Sequence, residues 1–229
     1  MIYAGIVAGG TGSRMGASLP KQFLEISEKP VLIHTISCFA DKVDMICVAC
    51  HKDYVDYTKN LINKYFDKPI EVIEGGTDRM ESVKVVVNHF LAAGATGDDI
   101  ILTHDGVRPF VPGIVIEESI ENARKGHFST VAVGATDTVC LSADGREIDR
   151  VLDRRQIFNI QTPQTFTIGK LAKMLENCPD TAEFTDLCGL ALSMGCKVRI
   201  INGSPKNIKI TVPADLGFAE TIIKGDRTL

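Results

Sequence analysis

No apolar run in the 229-residue sequence approaches the roughly 20 residues that a membrane-spanning helix needs. The N-terminus, Met1-Ile-Tyr-Ala-Gly5, also lacks the basic residues of a signal peptide and runs straight into an apolar segment, which points to a cytoplasmic protein. Excess charge of one sign is missing too. A net charge of −4 gives no sign of a generic nucleic-acid or membrane surface, so any anion site has to be local. Seven cysteines, an odd number lying mostly within apolar segments, suit reduced core thiols rather than a disulfide framework. Cys47-Val-Ala-Cys50 has no second pair to complete a zinc site. It falls in or just past an expected strand, where residues three apart face opposite sides, and it reads as structural. Repeats, low-complexity segments and linkers are absent as well. With 45% hydrophobic and 24% charged residues, one domain over 1–229 is expected.

Two familiar nucleotide loops are also missing. The dinucleotide fingerprint would need a small residue at 15 after Gly10 and Gly12, and Met15 stands there. The Walker loop needs Gly-Lys-Ser/Thr, which occurs nowhere in the chain. What is present instead is an apolar strand, Ile2 to Val7, that breaks into Gly9, Gly10 and Gly12 and then meets Arg14 and Lys21. Glycines let backbone N–H groups close on a bulky anion, and the two cations balance its charge. The stretch reads as a triphosphate cradle, against the plain alternative of a glycine-rich turn that binds nothing.

The rest of the chain alternates. A helix over 30–39 opens on Pro30; strands follow near 43–49, 70–73, 99–105 and 129–133, with helices near 53–64, 83–91 and 114–123 between them. This rhythm predicts an α/β fold with a doubly wound, mainly parallel sheet. It changes over 136–166, where short β-like pieces flank Ser142-Ala-Asp-Gly-Arg146, a hairpin signal. That excursion is expected to be a protruding β-arm, and such arms are often where a dimer closes. Helices near 169–176 and 184–194, a strand at 197–201, the segment 207–211 and a helix from Pro213 complete the chain.

Three polar clusters fall at strand ends, where an open α/β sheet places ligands. Gly75-Gly-Thr-Asp-Arg79 with Ser82 opens a helix and is suited to a base, a ribose or simply an N-cap. His104-Asp105-Gly-Val-Arg108 offers a carboxylate for Mg²⁺ and an arginine for a phosphate; His104 reads as packing. In Asn207-Ile-Lys-Ile-Thr211, alternation places Asn207, Lys209 and Thr211 on one face, and an inward lysine needs an anion. Arg154, Thr162, Gln164 and Thr185-Asp186 close the polar inventory, with plain readings of Thr185 or Asp186 as a cap and Arg154 as a solvated charge.

Taken in order, A-G-G-x-G-x-R-M, P-K-Q-F, G-G-x-x-R, H-D-x-x-R-P-F, Q-T-P-Q-x-F, T-D and N-I-K-I-T-x-P-x-D-L run from Ala8 to Leu216. The combination resembles the CTP-dependent cytidylyltransferases of small polyol phosphates, which have a Rossmann-like nucleotidyltransferase fold. The resemblance implies that Ala8, Gly9, Gly10, Gly12, Arg14 and Lys21 hold the CTP phosphates. It implies that Gly75, Gly76, Arg79 and Ser82 contact cytosine and ribose, with Gly106 beside the nucleotide. Asp105 would bind Mg²⁺ and Lys209 the α-phosphate. Arg108, Thr138, Arg154, Thr162 and Thr185 would form the polyol-phosphate site, Arg154 being supplied by the arm of a second subunit in a homodimer. Gly9 and Val107 look like the branch that acts on D-ribitol 5-phosphate. The alternative is the 2-C-methyl-D-erythritol 4-phosphate branch, which makes isoprenoid precursors.

A phosphate monoester with a second pKa near roughly 6 is largely ionised at neutral pH and needs no protein base. That suits a sequence without an obvious catalytic histidine or paired carboxylates. Direct attack on the α-phosphorus, with pyrophosphate leaving, is the expected reaction. A nucleotide-binding sensor that has lost turnover is the competing reading from another class.

Overall fold

The computed structural model describes residues 1–10, 16, 19–178 and 184–226. The apolar opening forms β1 (Ile2–Ala8). After the 3₁₀ turn Lys21–Phe23 comes a small hairpin, β2 (Glu25–Ile26) and β3 (Lys29–Pro30), and then α1 (Val31–Ser37), entered through Pro30. The alternation continues through β4 (Met45–Cys50), α2 (Val55–Asn63), β5 (Glu71–Glu74), α3 (Arg79–Ala92), β6 (Ile100–Asp105), α4 (Gly113–Arg124) and β7 (Phe128–Gly134). The arm carries β8 (Cys140–Leu141) and β9 (Arg150–Val151), and the chain ends with β10 (Phe158–Thr167), α5 (Ile168–Glu176), α6 (Leu187–Ser193), β11 (Val198–Asn202) and α7 (Pro213–Asp226).

Seven strands make one sheet in the order β11-β7-β10-β6-β1-β4-β5. β1 is an interior strand, parallel to both β4 and β6, which suits its unbroken apolar run. Its register pairs Val7 with Asp105 and Ala8 with Cys50, while Cys50 pairs with Glu74. The carboxyl ends of four strands therefore stand along one rim. β10 runs antiparallel to both of its neighbours, β6 and β7.

Helices cover both faces. Phe39, α1, α2 and α4 bury Ile33, Ile36, Ile62 and Ile116 on one side; α3, α5 and α6 bury Val86, Phe90, Leu171 and Leu190 on the other. Cys50 faces the first layer and Cys47 the second, and both are free, as expected for strand positions of opposite parity. A third, small core joins Ile26 of the hairpin, Val107, Ile210 and Ala219 of α7. It ties the segments just after Lys21 and around Lys209 to the loop that follows β6.

Three expectations need correction. The excursion was expected to run to 166, but the chain rejoins the main sheet at Phe158 and stays in it to Thr167. The reason is that β10 buries Gln161, Thr162, Gln164 and Thr165, polar side chains that give no apolar strand pattern. The segment 207–211 is not a regular strand either. Asn207 is buried, and Lys209 is 41% exposed, so simple alternation fails there. α3 also starts earlier than Val83, because Asp78 Oδ1 accepts the Glu81 N–H at 2.8 Å and caps a helix that includes Arg79 and Ser82.

Candidate active site

Asp105, the last residue of β6, is 6% exposed and is met by three cations. Arg79 Nε lies 3.1 Å from Oδ1, and Arg108 Nε and Lys209 Nζ lie 3.2 and 3.0 Å from Oδ2. Burial alone would raise this carboxyl group. Arg79, Lys209 and Arg108 together outweigh it and hold Asp105 well below the usual carboxylate range. These cations come from α3, the loop after β6 and the segment before α7, far apart in sequence and gathered by the parallel sheet.

Two cavities meet at this cluster. One, of about 220 Å³, is lined by Ala8, Gly9, Gly10, Lys21, Ser82 and Val107. The other, of about 250 Å³, is lined by Arg108, Ile160, Gln161, Thr162, Gln164 and Thr185. Arg79, Asp105 and Lys209 line both. From the first cavity a groove continues past Gly75, Gly76 and Thr77 to His51 and Lys52. Asp78 and Asp186 also border the cavities, but each caps a helix: Asp78 accepts Glu81 N and Asp186 Oδ1 accepts Gly189 N at 3.0 Å. The remaining balance favours anions on both sides of the shared wall.

Lys21 and Lys209, expected from the sequence to meet from opposite ends of the chain, line one cavity with Gly9 and Gly10. Gly12 and Arg14 lie outside the described residues. Ser82 is buried, and its hydroxyl accepts the Gly76 N–H at 3.0 Å and donates to Asp78 O at 2.7 Å. Gly106 lines neither cavity; its N–H donates to Val7 O at 2.8 Å, and an added Cβ would stand 2.9 Å from Ala8 Cβ. Its lack of a side chain is accounted for by the close approach of β1. Thr138 and Arg154 are on the exposed arm and line neither cavity; Arg154 Nη1 donates to Thr136 O at 3.0 Å.

Thr162 borders the second cavity, but its hydroxyl is engaged behind the wall. It accepts the Asp105 N–H at 3.1 Å and lies 3.0 Å from His104 Nδ1. His104 Nε2 is 3.0 Å from Arg108 O, an acceptor, so the proton sits on Nε2 and the threonine hydrogen points at Nδ1. Fully buried, His104 is pulled down to about 4. It holds the β6 end and the following loop together, in keeping with its reading as a packing residue.

Gln22 and Gln161 stand within P-K-Q-F and Q-T-P-Q-x-F, but the sequence gives neither an individual role. Gln22 Nε2 donates to Ala8 O at 2.7 Å, fixing the Lys21 turn against the end of β1. Gln161 Oε1 accepts from Asn207 Nδ2 at 3.1 Å, which seats the Lys209 segment. Neither residue lies in a pattern that a charge or glycine count would flag.

Comparison with known proteins places this geometry. The family model for 2-C-methyl-D-erythritol 4-phosphate cytidylyltransferase matches residues 2–225. The 4-diphosphocytidyl-2C-methyl-D-erythritol synthase of Anaerococcus prevotii is 29% identical, with a TM-score of 0.83 over 98% of this chain and 96% of that one. The 2-C-methyl-D-erythritol 4-phosphate cytidylyltransferase of Francisella tularensis is also 29% identical, with a TM-score of 0.80 over 96% of this chain and 98% of that one. These matches favour the erythritol alternative over the ribitol branch suggested by Gly9 and Val107. Both of those residues line the first cavity and neither lines the second. Together with a cation-rich rim built from both ends of the chain, the match over 2–225 shows that the chain belongs to the family of 2-C-methyl-D-erythritol 4-phosphate cytidylyltransferases, CTP-dependent nucleotidyltransferases.

Proposed function

We propose that this chain transfers CMP from CTP to the phosphate of 2-C-methyl-D-erythritol 4-phosphate in the cytoplasm, releasing pyrophosphate. The observation that carries the reading is the pair of cavities with one cationic wall of Arg79, Asp105 and Lys209 between them. CTP takes the cavity of Gly9, Gly10, Lys21 and Ser82, with its base toward Gly75 and Gly76. The acceptor phosphate takes the cavity of Arg108 and Thr185. An oxygen of that phosphate attacks the α-phosphorus, the new O–P bond forms, and the bond to the β-phosphate breaks. The nucleophile is ionised at neutral pH, with a second pKa near roughly 6, so no side chain has to remove a proton. Lys209 steadies the α-phosphate, and Lys21, with Arg14 from the family pattern, neutralises the departing pyrophosphate.

Asp105 is the carboxylate of the shared wall that caps no helix. Mg²⁺ takes one or two carboxylates and completes its shell with phosphate oxygens and water, so the Asp105 carboxylate fits it where Lys209 turns from Oδ2 to a phosphate. Bound by Asp105, Mg²⁺ would supply charge neutralisation at the phosphates. Thr138 and Arg154 do not reach the acceptor cavity of their own chain, and the arm exposes Leu141, Ile148 and Val151. Both facts support a homodimer in which the arm of a second copy completes that cavity.

The test is pyrophosphate release from CTP and Mg²⁺ with each acceptor in turn. The expected result is a kcat/KM for methylerythritol phosphate at least about tenfold above that for ribitol phosphate, the step that one lost hydrogen bond or misfit commonly makes. The opposite order overturns the substrate assignment.

A further inference from the structure

Gln164 sits fully buried in the middle of β10, opposite Thr103 of β6, and its side-chain amide bridges two charged groups. Its Oε1 accepts from Arg79 Nη2 at 3.2 Å, and its Nε2 donates to Asp186 Oδ2 at 2.8 Å and contacts Cys188 Sγ at 3.0 Å. A guanidinium only donates and a carboxylate only accepts, so this amide has one permitted orientation. Asp186 is itself fixed, because its other oxygen accepts Gly189 N at the start of α6. Arg79 then uses Nε on Asp105 Oδ1. A continuous chain of hydrogen bonds runs from the acceptor cavity at Thr185–Asp186 through Gln164 and Arg79 to Asp105.

We propose that Gln164, oriented by Asp186, is a positioning residue of the reaction that fixes the Arg79 guanidinium, and through it Asp105, in the wall shared by the two cavities. Among the described residues, Arg79 would otherwise have only Asp105 to hold its planar fork, and a fork held on one atom is free to swing. Held on two, it presents one fixed distribution of charge to whatever phosphate lies on either side. The inference rests on the proposed transfer reaction. It is tested with whichever of the two acceptors the unaltered protein turns over, so the substrate reading can fail without affecting it.

The donor pattern supplies a discriminating experiment. Gln164→Glu sets a second carboxylate against Asp186 and draws Arg79 from Asp105. In Asp186→Asn the new amide must turn its oxygen to Gly189 N and its NH₂ to Gln164, which must then flip and show its own NH₂ to Arg79. The double variant restores each bond of the chain from Arg79 to Gly189: the carboxylate introduced on β10 accepts from Arg79 and from the introduced amide, that amide accepts from Gly189 N, and the total charge is unchanged; only the amide N–H contacts to Cys188 Sγ and Thr130 Oγ1 are given up. Each single substitution is expected to lower kcat about tenfold or more, the size of loss that a small misplacement near reacting atoms produces. CTP affinity, measured by calorimetry, is expected to stay within about threefold, and the double variant to recover kcat to within about threefold of the unaltered enzyme. Single variants with unaltered kcat, a loss carried only in CTP affinity, or a folded double variant no better than the singles would each overturn the proposal. If a single variant does not fold, the kcat of the double variant decides.

Discussion

Asp105 and Gly106 show two neighbouring residues with opposite reasons for being what they are. Asp105 keeps a buried charge because Arg79, Arg108 and Lys209 surround it. Gly106 is packed against Ala8 and Val7 because nothing larger fits, with Cβ positions 2.9 Å from Ala8 Cβ and 3.1 Å from Val7 O. The Gly106 N–H to Val7 O bond prevents the loop from moving aside without losing it. Gly106→Ala is therefore expected to destabilise the fold by about 1–3 kcal/mol through overpacking, read as a lower urea midpoint at constant slope. A midpoint equal to that of the unaltered protein would show that the loop has room. Asp105 was legible from the sequence, as a carboxylate ending an apolar run. The role of Gly106 was not, since a glycine that packs and a glycine that cradles a ligand look alike until β1 is seen beside it.

At the scale of the element, α3 is the piece that brings Arg79 and Ser82 to the rim, and its distance from the sheet is set at Gly5. A Cβ on Gly5 would stand 2.7 Å from Val86 Cγ1, a buried and β-branched side chain with little rotamer freedom. Gly5→Ala is expected to cost about 1–3 kcal/mol of stability and to lower kcat as well, since a displaced α3 carries Arg79 with it. Paired urea titration and turnover measurements check this, and lost stability with unchanged kcat would separate the helix position from the chemistry. The parallel strands were readable because each is an apolar run closed by a turn signal. β10 was not, because Gln161-Thr-Pro-Gln-Thr165 is polar and holds a proline, which argues against a central strand. Gln161, Thr162 and Gln164 are inside because each finds partners there, on Asn207, Asp105 N–H, and Arg79 with Asp186. The Gln164 bridge is visible only when β10 is known to lie between β6 and β7.

Across the whole molecule, the buried polar cluster makes stability depend on pH in one direction. His104 is lowered from 6.5 to about 4 by burial, so between those values the unfolded chain binds a proton that the native state refuses. Stability therefore falls as pH drops through that window, by up to about 1.4 kcal/mol per pH unit for one proton. Asp105, held low by its cations, adds a loss of the same sign at still lower pH. Urea unfolding from pH 7 to 4 should show the decline, and His104→Gln should flatten it; an unchanged slope in that variant would assign the decline to other groups. The sequence carried the sheet and the cationic rim because both are written as local patterns. It carried neither the reversed strand nor the side-chain bridges, which exist only between distant segments. That reversed strand has a consequence for how such a protein diversifies. Since β10 enters the sheet at the ligand rim, the excursion that feeds it is rooted beside the acceptor and away from the glycine loop. On the proposed reaction, changes in its length or tip would alter the acceptor side and leave the glycine-loop side as it is.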